Sequence, residues 1–275
     1  MAELDYAAVR RYWNNARPSI LGPYMMEGFG FPPAAGLFRF NAERDIVQRL
    51  IQGLNRTGTV LDLGSGIGFW AEAFARDFTK VVAVEASPAL CDALRARCGA
   101  HPNVRVVHGD VLSFEPDDRY ELVFLGGMLM YLNDREVVAL LRKIVPTLNP
   151  GGMILCRETT VREGVVIRGG EYQATYRSVD VYRALFADCR LAVTQTERNV
   201  SYVLLQLGCD LIKKWHAVAP RRLRGLDPLL GRFVYWGLRL GNPWIIRVPE
   251  VLGYTSPQWL NHFFVLGPDI AHAGS

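Results

Sequence analysis

Between residues 59 and 158 the chain alternates short apolar runs with stretches whose apolar residues recur at helical spacing. TVLDL (59–63), KVVAVE (80–85), NVRVVHG (103–109), YELVFLGG (120–127) and MILCRE (153–158) read as strands. Helices are predicted at about 67–77, at 87–98 with Ser87 as N-cap and Pro88 in the first turn, and at 134–148, where Val137, Val138, Leu140, Leu141, Ile144 and Val145 share one face. NPGG (149–152) is a turn. Five such alternations imply a parallel sheet covered by helices on both faces, with right-handed crossovers.

Outside that stretch the pattern changes. Residues 159–177, rich in Gly, Thr and Arg, read as a loop; 178–189 as a helix, 191–199 as a sixth strand and HFFVLG (262–267) as a last one. The region 201–259 reads as mostly helical. Ahead of strand one come a helix, a Pro/Gly-rich stretch and the start of another helix. The expected division is therefore an N-terminal helix and lid at 1–45, a core at 46–200, a helical insertion at 201–259, and the last strand and tail at 260–275.

The chain has 275 residues, and half of them are hydrophobic. A core of that size needs no disulfide. Cys91, Cys98, Cys156, Cys189 and Cys209 form no CxxC pair and no zinc-like spacing, so they are expected as reduced thiols in a cytoplasmic setting. The start, MAELDYAAVRRYW, lacks the apolar run of a signal peptide, and no run of about 20 apolar residues suggests a span. His101, His108, His216, His262 and His272 are scattered, and no metal site is expected.

The net charge of +4 is concentrated. Lys213, Lys214, Arg221, Arg222, Arg224, Arg232, Arg239 and Arg247 face only Asp210, Asp227 and Glu250 between residues 208 and 255, giving that segment +5 and the remainder −1. Three readings compete for it: an acceptor lid, a peripheral membrane patch made of mixed aromatic and basic residues, and a nucleic-acid surface. The modest overall charge and the lack of a recognition module argue against the third.

The chemistry-bearing signal is VLDLGSGIGFW (60–70). A strand delivers Asp62; then Gly64, Ser65, Gly66 and Gly68 turn the chain into a helix, where a missing Cβ lets backbone approach a ligand. Glu85 ends the second strand, placed to accept from both ribose hydroxyls of an adenosyl group. Asp110 follows the third, placed for an adenine amino group with the Val111 backbone beside it. A dinucleotide site would want glycine where Phe69 stands. Ligands of open α/β sheets bind at these carboxyl ends.

VLDLGSGIG, VVAVE, HGD and NPGG together resemble the class I S-adenosylmethionine-dependent methyltransferases over about residues 57–158. The resemblance implies a Rossmann-like α/β fold with a seven-stranded, mostly parallel sheet whose last strand is antiparallel. It also implies S-adenosylmethionine as methyl donor, with Asp62 and the Gly64–Gly68 loop near its methionine part, Glu85 on the ribose, and Asp110 with Val111 on the adenine. YW (12–13), MLMYLND, RETT (157–160) and YRSVDVY (176–182) are similar to the phosphoethanolamine N-methyltransferases. That likeness implies Tyr12, Arg157, Glu158, Tyr176, Arg177 and Tyr182 as acceptor contacts, Tyr131 at a catalytic position, and Tyr24 or Tyr12 in a tyrosine lid.

No NPPY or DPPY follows strand four, which argues against amino methylation of DNA or glutamine. A small-molecule acceptor, with an amine nitrogen favoured, is the expected partner. Oxygen or carbon methylation of a natural product, sugar or lipid-linked acceptor is the alternative, and a binding protein of the same fold without turnover is the reading from another class.

Overall fold

A computed structural model describes residues 3–17, 31–220, 227–241, 244 and 258–268. Within them the order is α1 (Tyr6–Asn14), α2 (Pro33–Leu50), β1 (Thr59–Leu63), α3 (Phe69–Ala75), β2 (Lys80–Glu85), α4 (Pro88–Cys98), β3 (Val104–His108), β4 (Tyr120–Leu125), α5 (Asp134–Ile144), β5 (Leu148–Val161), β6 (Val165–Arg168), β7 (Ala174–Ser178), α6 (Val179–Ala187), β8 (Leu191–Arg198), α7 (Val200–Val218), α8 (Asp227–Gly241) and β9 (Leu260–Pro268).

The sheet runs β3-β2-β1-β4-β5, with β9 paired to both β5 and β8. Strands β1 to β5 are joined in parallel, and the sheet ends antiparallel, as the resemblance implies. β1 and β4 are buried along their whole length, which is why TVLDL and YELVFL read as nearly continuous apolar runs, broken by Asp62 and Glu121, instead of alternating ones. Helix α4 starts where expected: the Ser87 side chain accepts from the Leu90 N–H and Pro88 opens the first turn. Helix α5 carries Asp134 and Glu136 in its first turn and Arg142 and Lys143 in its last, matching the helix dipole at both ends.

Three expectations need correcting. Among the described residues the sheet has nine strands, not seven. Residues 159–177 are not a loop: β5 continues to Val161, and β6 and β7 form an antiparallel hairpin pairing Val165 with Arg177 and Arg168 with Ala174. β7 also pairs in parallel with the end of β5, Thr160 opposite Arg177. NPGG lies inside β5 as a bulge. The partners in β4 jump from Tyr120↔Leu148 to Leu122↔Met153, and Gly151 takes the left-handed backbone the bulge requires.

The chain divides into two compact units, one of residues 1–18, 50–197 and 262–275, the other of 19–49 and 198–261. The N-terminal 45 residues are thus shared: α1 belongs to the first unit and α2 to the second. The core of the first unit joins Leu61, Val82, Val123, Leu140, Ile154 and Phe264. In the second unit, Phe31, Ala35, Leu205, Ile212 and Tyr235 pack together. Gly208 lets its helices close, since a Cβ there would lie 2.7 Å from Phe31 and 2.8 Å from Leu238. A buried polar knot ties α2 to α7: Arg39 pairs with Glu43 at 2.7 Å, and the Asn199 amide donates to Glu43 and to Asn261.

All five cysteines are free and buried. Among the described residues no helix is long and apolar enough to cross a membrane, and no group of three His, Cys, Asp or Glu is arranged to hold a metal.

Candidate active site

The glycine turn follows β1 directly. Gly64 and Ser65 donate to the Val84 carbonyl at 2.9 and 3.0 Å, pinning the turn to β2. Gly64, Gly66 and Gly68 have φ of 73°, 57° and 88°, a region closed to most side chains. A Cβ on Gly68 would meet Leu94 at 2.6 Å, so that glycine is required for packing; one on Gly66 would meet nothing within 4 Å, so its backbone faces open space. Glu85, at the end of β2, accepts from the N–H groups of Gly66 and Ser87, both at 2.8 Å.

Asp62 is buried, and its Oδ2 has no hydrogen-bond partner within the protein. Burial pushes its carboxyl up to about 7, and Glu85 is raised for the same reason. An orphaned buried carboxylate oxygen, a glycine open to solvent and a second carboxylate at the strand end fit a ligand carrying cationic and hydroxyl groups. S-adenosylmethionine, with its ammonium, sulfonium and ribose, is such a ligand.

Across the strand ends, a short 3-10 turn at Leu129–Tyr131 is held on two sides. Glu158, fully buried in β5, accepts from the Met128 and Leu129 N–H groups at 3.2 and 3.0 Å and from the Tyr182 hydroxyl at 3.4 Å. Burial raises its carboxyl to about 7. Arg177, in β7, donates to the Leu129 and Leu132 carbonyls at 3.1 and 2.6 Å and to Asp134 at 2.8 Å. Arg157 donates to the Gly126 carbonyl just ahead of the same turn.

That turn presents Tyr131 to an aromatic cluster. Tyr131 lies edge-to-face against Trp13 at 5.3 Å and Tyr172 at 5.9 Å, and Tyr172 against Tyr12 at 5.0 Å. The Tyr131 and Tyr172 hydroxyls are 2.9 Å apart, and the Tyr176 hydroxyl donates to Tyr172 at 3.4 Å. Burial raises the Tyr131, Tyr172 and Tyr12 hydroxyls, so these groups stay protonated at neutral pH. The guanidinium of Arg168 lies over the Tyr172 ring at 4.9 Å.

Helix α1 brings Tyr12 and Trp13 to this cluster and is tied at both ends. Leu4 N–H donates to Asn133 Oδ1 and Asp5 N–H to Gln173 Oε1, each at 2.9 Å. Tyr6 donates to Glu136 at 2.9 Å and accepts from the Asn133 N–H at 3.0 Å. At the far end, Ser87 donates to the Trp13 carbonyl at 3.0 Å. Ser87 therefore touches both the Glu85 carboxylate and the helix carrying the aromatic wall.

The fold brings Asp62, the Gly64–Gly68 turn and Glu85 together, and gathers Tyr12, Tyr131 and Tyr176 about Tyr172. It places four other expected acceptor contacts in the framework, among them Arg157, buried and bonded to the Gly126 carbonyl. Arg177 is fully buried and bonded to backbone carbonyls; Tyr182 stacks on Phe186 in the core; Glu158 supports the 3-10 turn. Asp110 caps its own turn, accepting the Leu112 N–H at 2.9 Å, and the Val111 side chain joins the core. Tyr24 lies outside the described residues, as does 18–30 of the expected lid. Tyr172, Trp13 and Arg168 were not among the expected site residues. Tyr172 lies in the bend ahead of β7, outside any regular pattern, so nothing in the sequence singles it out.

Fold and site together define an α/β methyltransferase that uses a nucleoside-bearing donor. A methyltransferase domain family matches residues 60–152. The human N-terminal Xaa-Pro-Lys N-methyltransferase 1 is 26% identical over 70% of this chain and 87% of its own length. Phosphoethanolamine N-methyltransferase 3 of Arabidopsis thaliana is 29% identical over 56% of this chain, which spans only 31% of that longer protein. A solved SAM-dependent methyltransferase from Leishmania major superposes with a TM-score of 0.64 at 15% identity, covering 95% of this chain and 82% of its own. The chain is an S-adenosylmethionine-dependent methyltransferase similar to those of class I, and S-adenosylmethionine is its methyl donor.

Proposed function

We propose that the enzyme methylates an amine nitrogen of a small-molecule acceptor seated against Tyr12, Trp13, Tyr131 and Tyr172. The observation that carries this reading is the ring cluster itself. Aromatic faces attract cations, and an amine acquires positive charge as it is methylated. Both curated relatives named above are N-methyltransferases, and a terminal amine is common to the acceptors in their names.

S-adenosylmethionine, when bound, supplies an electrophilic methyl group on a positively charged sulfur. Glu85 would take the ribose hydroxyls, the Gly64–Gly68 backbone and Asp62 would take the methionine end, and Asp110 with the Val111 backbone would take the adenine. Tyr131, protonated at neutral pH, would accept a hydrogen bond from the amine N–H and so orient the amine's lone pair. Tyr172 fixes the Tyr131 hydroxyl, and Tyr176 fixes Tyr172. No tyrosinate base is used, so the acceptor enters as free amine and its surplus proton leaves to solvent after transfer. The ring walls exclude water and hold the line of attack. Arg168, exposed beside Tyr172, is the cation that an anionic substituent on the acceptor would meet.

The test is a panel assay detecting S-adenosylhomocysteine release and product mass. It sets small primary and secondary amines, with and without a phosphate group, beside a peptide beginning Xaa-Pro-Lys and a set of phenols. Nitrogen methylation of a small amine is expected. Turnover of the peptide alone would move the reading to a protein N-terminus, and turnover of phenols alone to oxygen methylation.

A further inference from the structure

Helix α8 has two apolar faces. One packs inward: Tyr235 and Leu238 are buried, and Val234 packs against them. The other does not. Leu229, Phe233, Trp236 and Leu240 recur at helical spacing and fall within a sector of about 60° at 3.6 residues per turn. Phe233 is 79% exposed and Leu240 80%. Trp244, four residues beyond Leu240, is 72% exposed. Of the ten large apolar side chains exposed among the described residues, four lie on this one stripe. A soluble helix normally turns a polar face outward, and a contiguous apolar patch marks a contact surface.

Charge indicates what it contacts. Arg232 and Arg239 flank the stripe on one side, both exposed. Arg239 donates to the Tyr235 hydroxyl at 3.2 Å and lies 5.4 Å above the Trp236 ring, so its charge stays at the stripe's edge. On α7, Leu211, Lys214 and Val218 are exposed at helical spacing and repeat the mixture of apolar and basic residues. The surrounding segment 208–255 carries a net +5. Aromatic and leucine side chains on one face, rimmed by arginine and lysine, are the composition of a helix lying in a membrane interface. None of the described helices is long and apolar enough to cross a bilayer.

We propose that the outer face of α8 docks this enzyme onto an anionic lipid surface, with Phe233, Trp236, Leu240 and Trp244 inserted at headgroup depth and Arg232, Arg239 and Lys214 against lipid phosphates. The inference is independent of the acceptor. Basic residues near such a surface are drawn by its negative potential, and salt weakens that attraction.

The test is co-sedimentation of the full chain with vesicles of phosphatidylcholine mixed equally with phosphatidylglycerol, against vesicles of phosphatidylcholine alone. Binding to the anionic vesicles, weakened by salt, is expected, with a blue shift of tryptophan emission. The double variant Phe233→Ser, Leu240→Ser should lower partitioning about tenfold or more, while cofactor affinity, measured as the check on folding, stays unchanged. Arg232→Glu should weaken the preference for anionic lipid. Three results would overturn the proposal: no partitioning into either vesicle, partitioning indifferent to the double variant, or concentration-dependent dimerisation that the double variant abolishes. The last would assign the stripe to a second copy of the chain.

Discussion

Glu158 and Arg177 grip one turn from opposite sides: the carboxylate takes the N–H groups of Met128 and Leu129, and the guanidinium gives to the carbonyls of Leu129 and Leu132. Between them they hold Tyr131. Removing Arg177 strands the buried Leu129 and Leu132 carbonyls, while the half-exposed Asp134 carboxylate turns to water, a loss of about 1–3 kcal/mol. Arg177→Ala should lower the denaturation midpoint accordingly, and Arg177→Lys, which keeps the charge but not the fork of donors, should recover only part of it. Equal stability of Arg177→Ala and the parent in urea titration would show that the turn holds itself.

The Tyr131 hydroxyl is separable from its ring. Tyr131→Phe keeps the contact with Trp13 and loses the hydrogen bond, so turnover should fall about tenfold, the order of one hydrogen bond. Cofactor affinity should not move. Tyr172→Phe should give a smaller loss in the same direction, because it acts through Tyr131. A fall in cofactor affinity that matches the fall in turnover would place Tyr131 in the cofactor pocket instead.

Much of the cofactor half was legible before the fold was known. The expected bounds of the first two strands, 59–63 and 80–85, are those observed, because buried parallel strands write themselves as apolar runs with a glycine turn behind them. The acceptor half was harder. β6 and β7 hide in a stretch rich in Gly, Thr and Arg; β6 has four residues, none fully buried, so no apolar alternation marks it. Arg177 stood out in sequence, but a cation seated on backbone carbonyls and one seated on a ligand look alike there; only burial separates them. Tyr172 belongs to no motif and is placed by the hairpin.

Glu85→Ala should weaken S-adenosylmethionine binding by about 1.5–3 kcal/mol, the range for hydrogen bonds to a charged group. Since Glu85 also accepts from Gly66 and Ser87, Glu85→Gln should retain some of that support and lose less affinity. Unchanged affinity by calorimetry in a folded Glu85→Ala variant would remove the ribose assignment.

Asp62 sets a pH dependence. Its carboxyl sits at about 7 in the fold against 3.8 ordinarily, so between those values the folded chain holds a proton that the unfolded chain has released. The resulting stability is complete below about pH 4 and is lost as pH rises through 7. Asp62→Asn should flatten part of the chain's decline, with Glu158 and Glu85, raised for the same reason, contributing to the rest. A cationic ligand favours the ionised carboxylate, so S-adenosylmethionine binding should release a proton below pH 7 and tighten as pH rises. Calorimetry in buffers of different ionisation enthalpy measures that proton, and its persistence in Asp62→Asn would assign it elsewhere.

Activity should survive a chelator. Loss in EDTA with recovery on adding Mg²⁺ would point to metal-assisted oxygen methylation and against the amine reading.

The hairpin that carries Tyr176 beside Arg177 restricts how this enzyme can change. Neighbours on a strand face opposite ways, so one residue gained or lost within 174–178 would swing the guanidinium away from the turn and a phenol into its place. Both halves of the site would fail in one event. The tip, where Gly169 and Gly170 have no atom within 4 Å of an added Cβ, carries no such penalty. Length variation among descendants of this sequence should therefore collect at 169–171, leaving the catalytic register untouched while reshaping what can enter beside Tyr172.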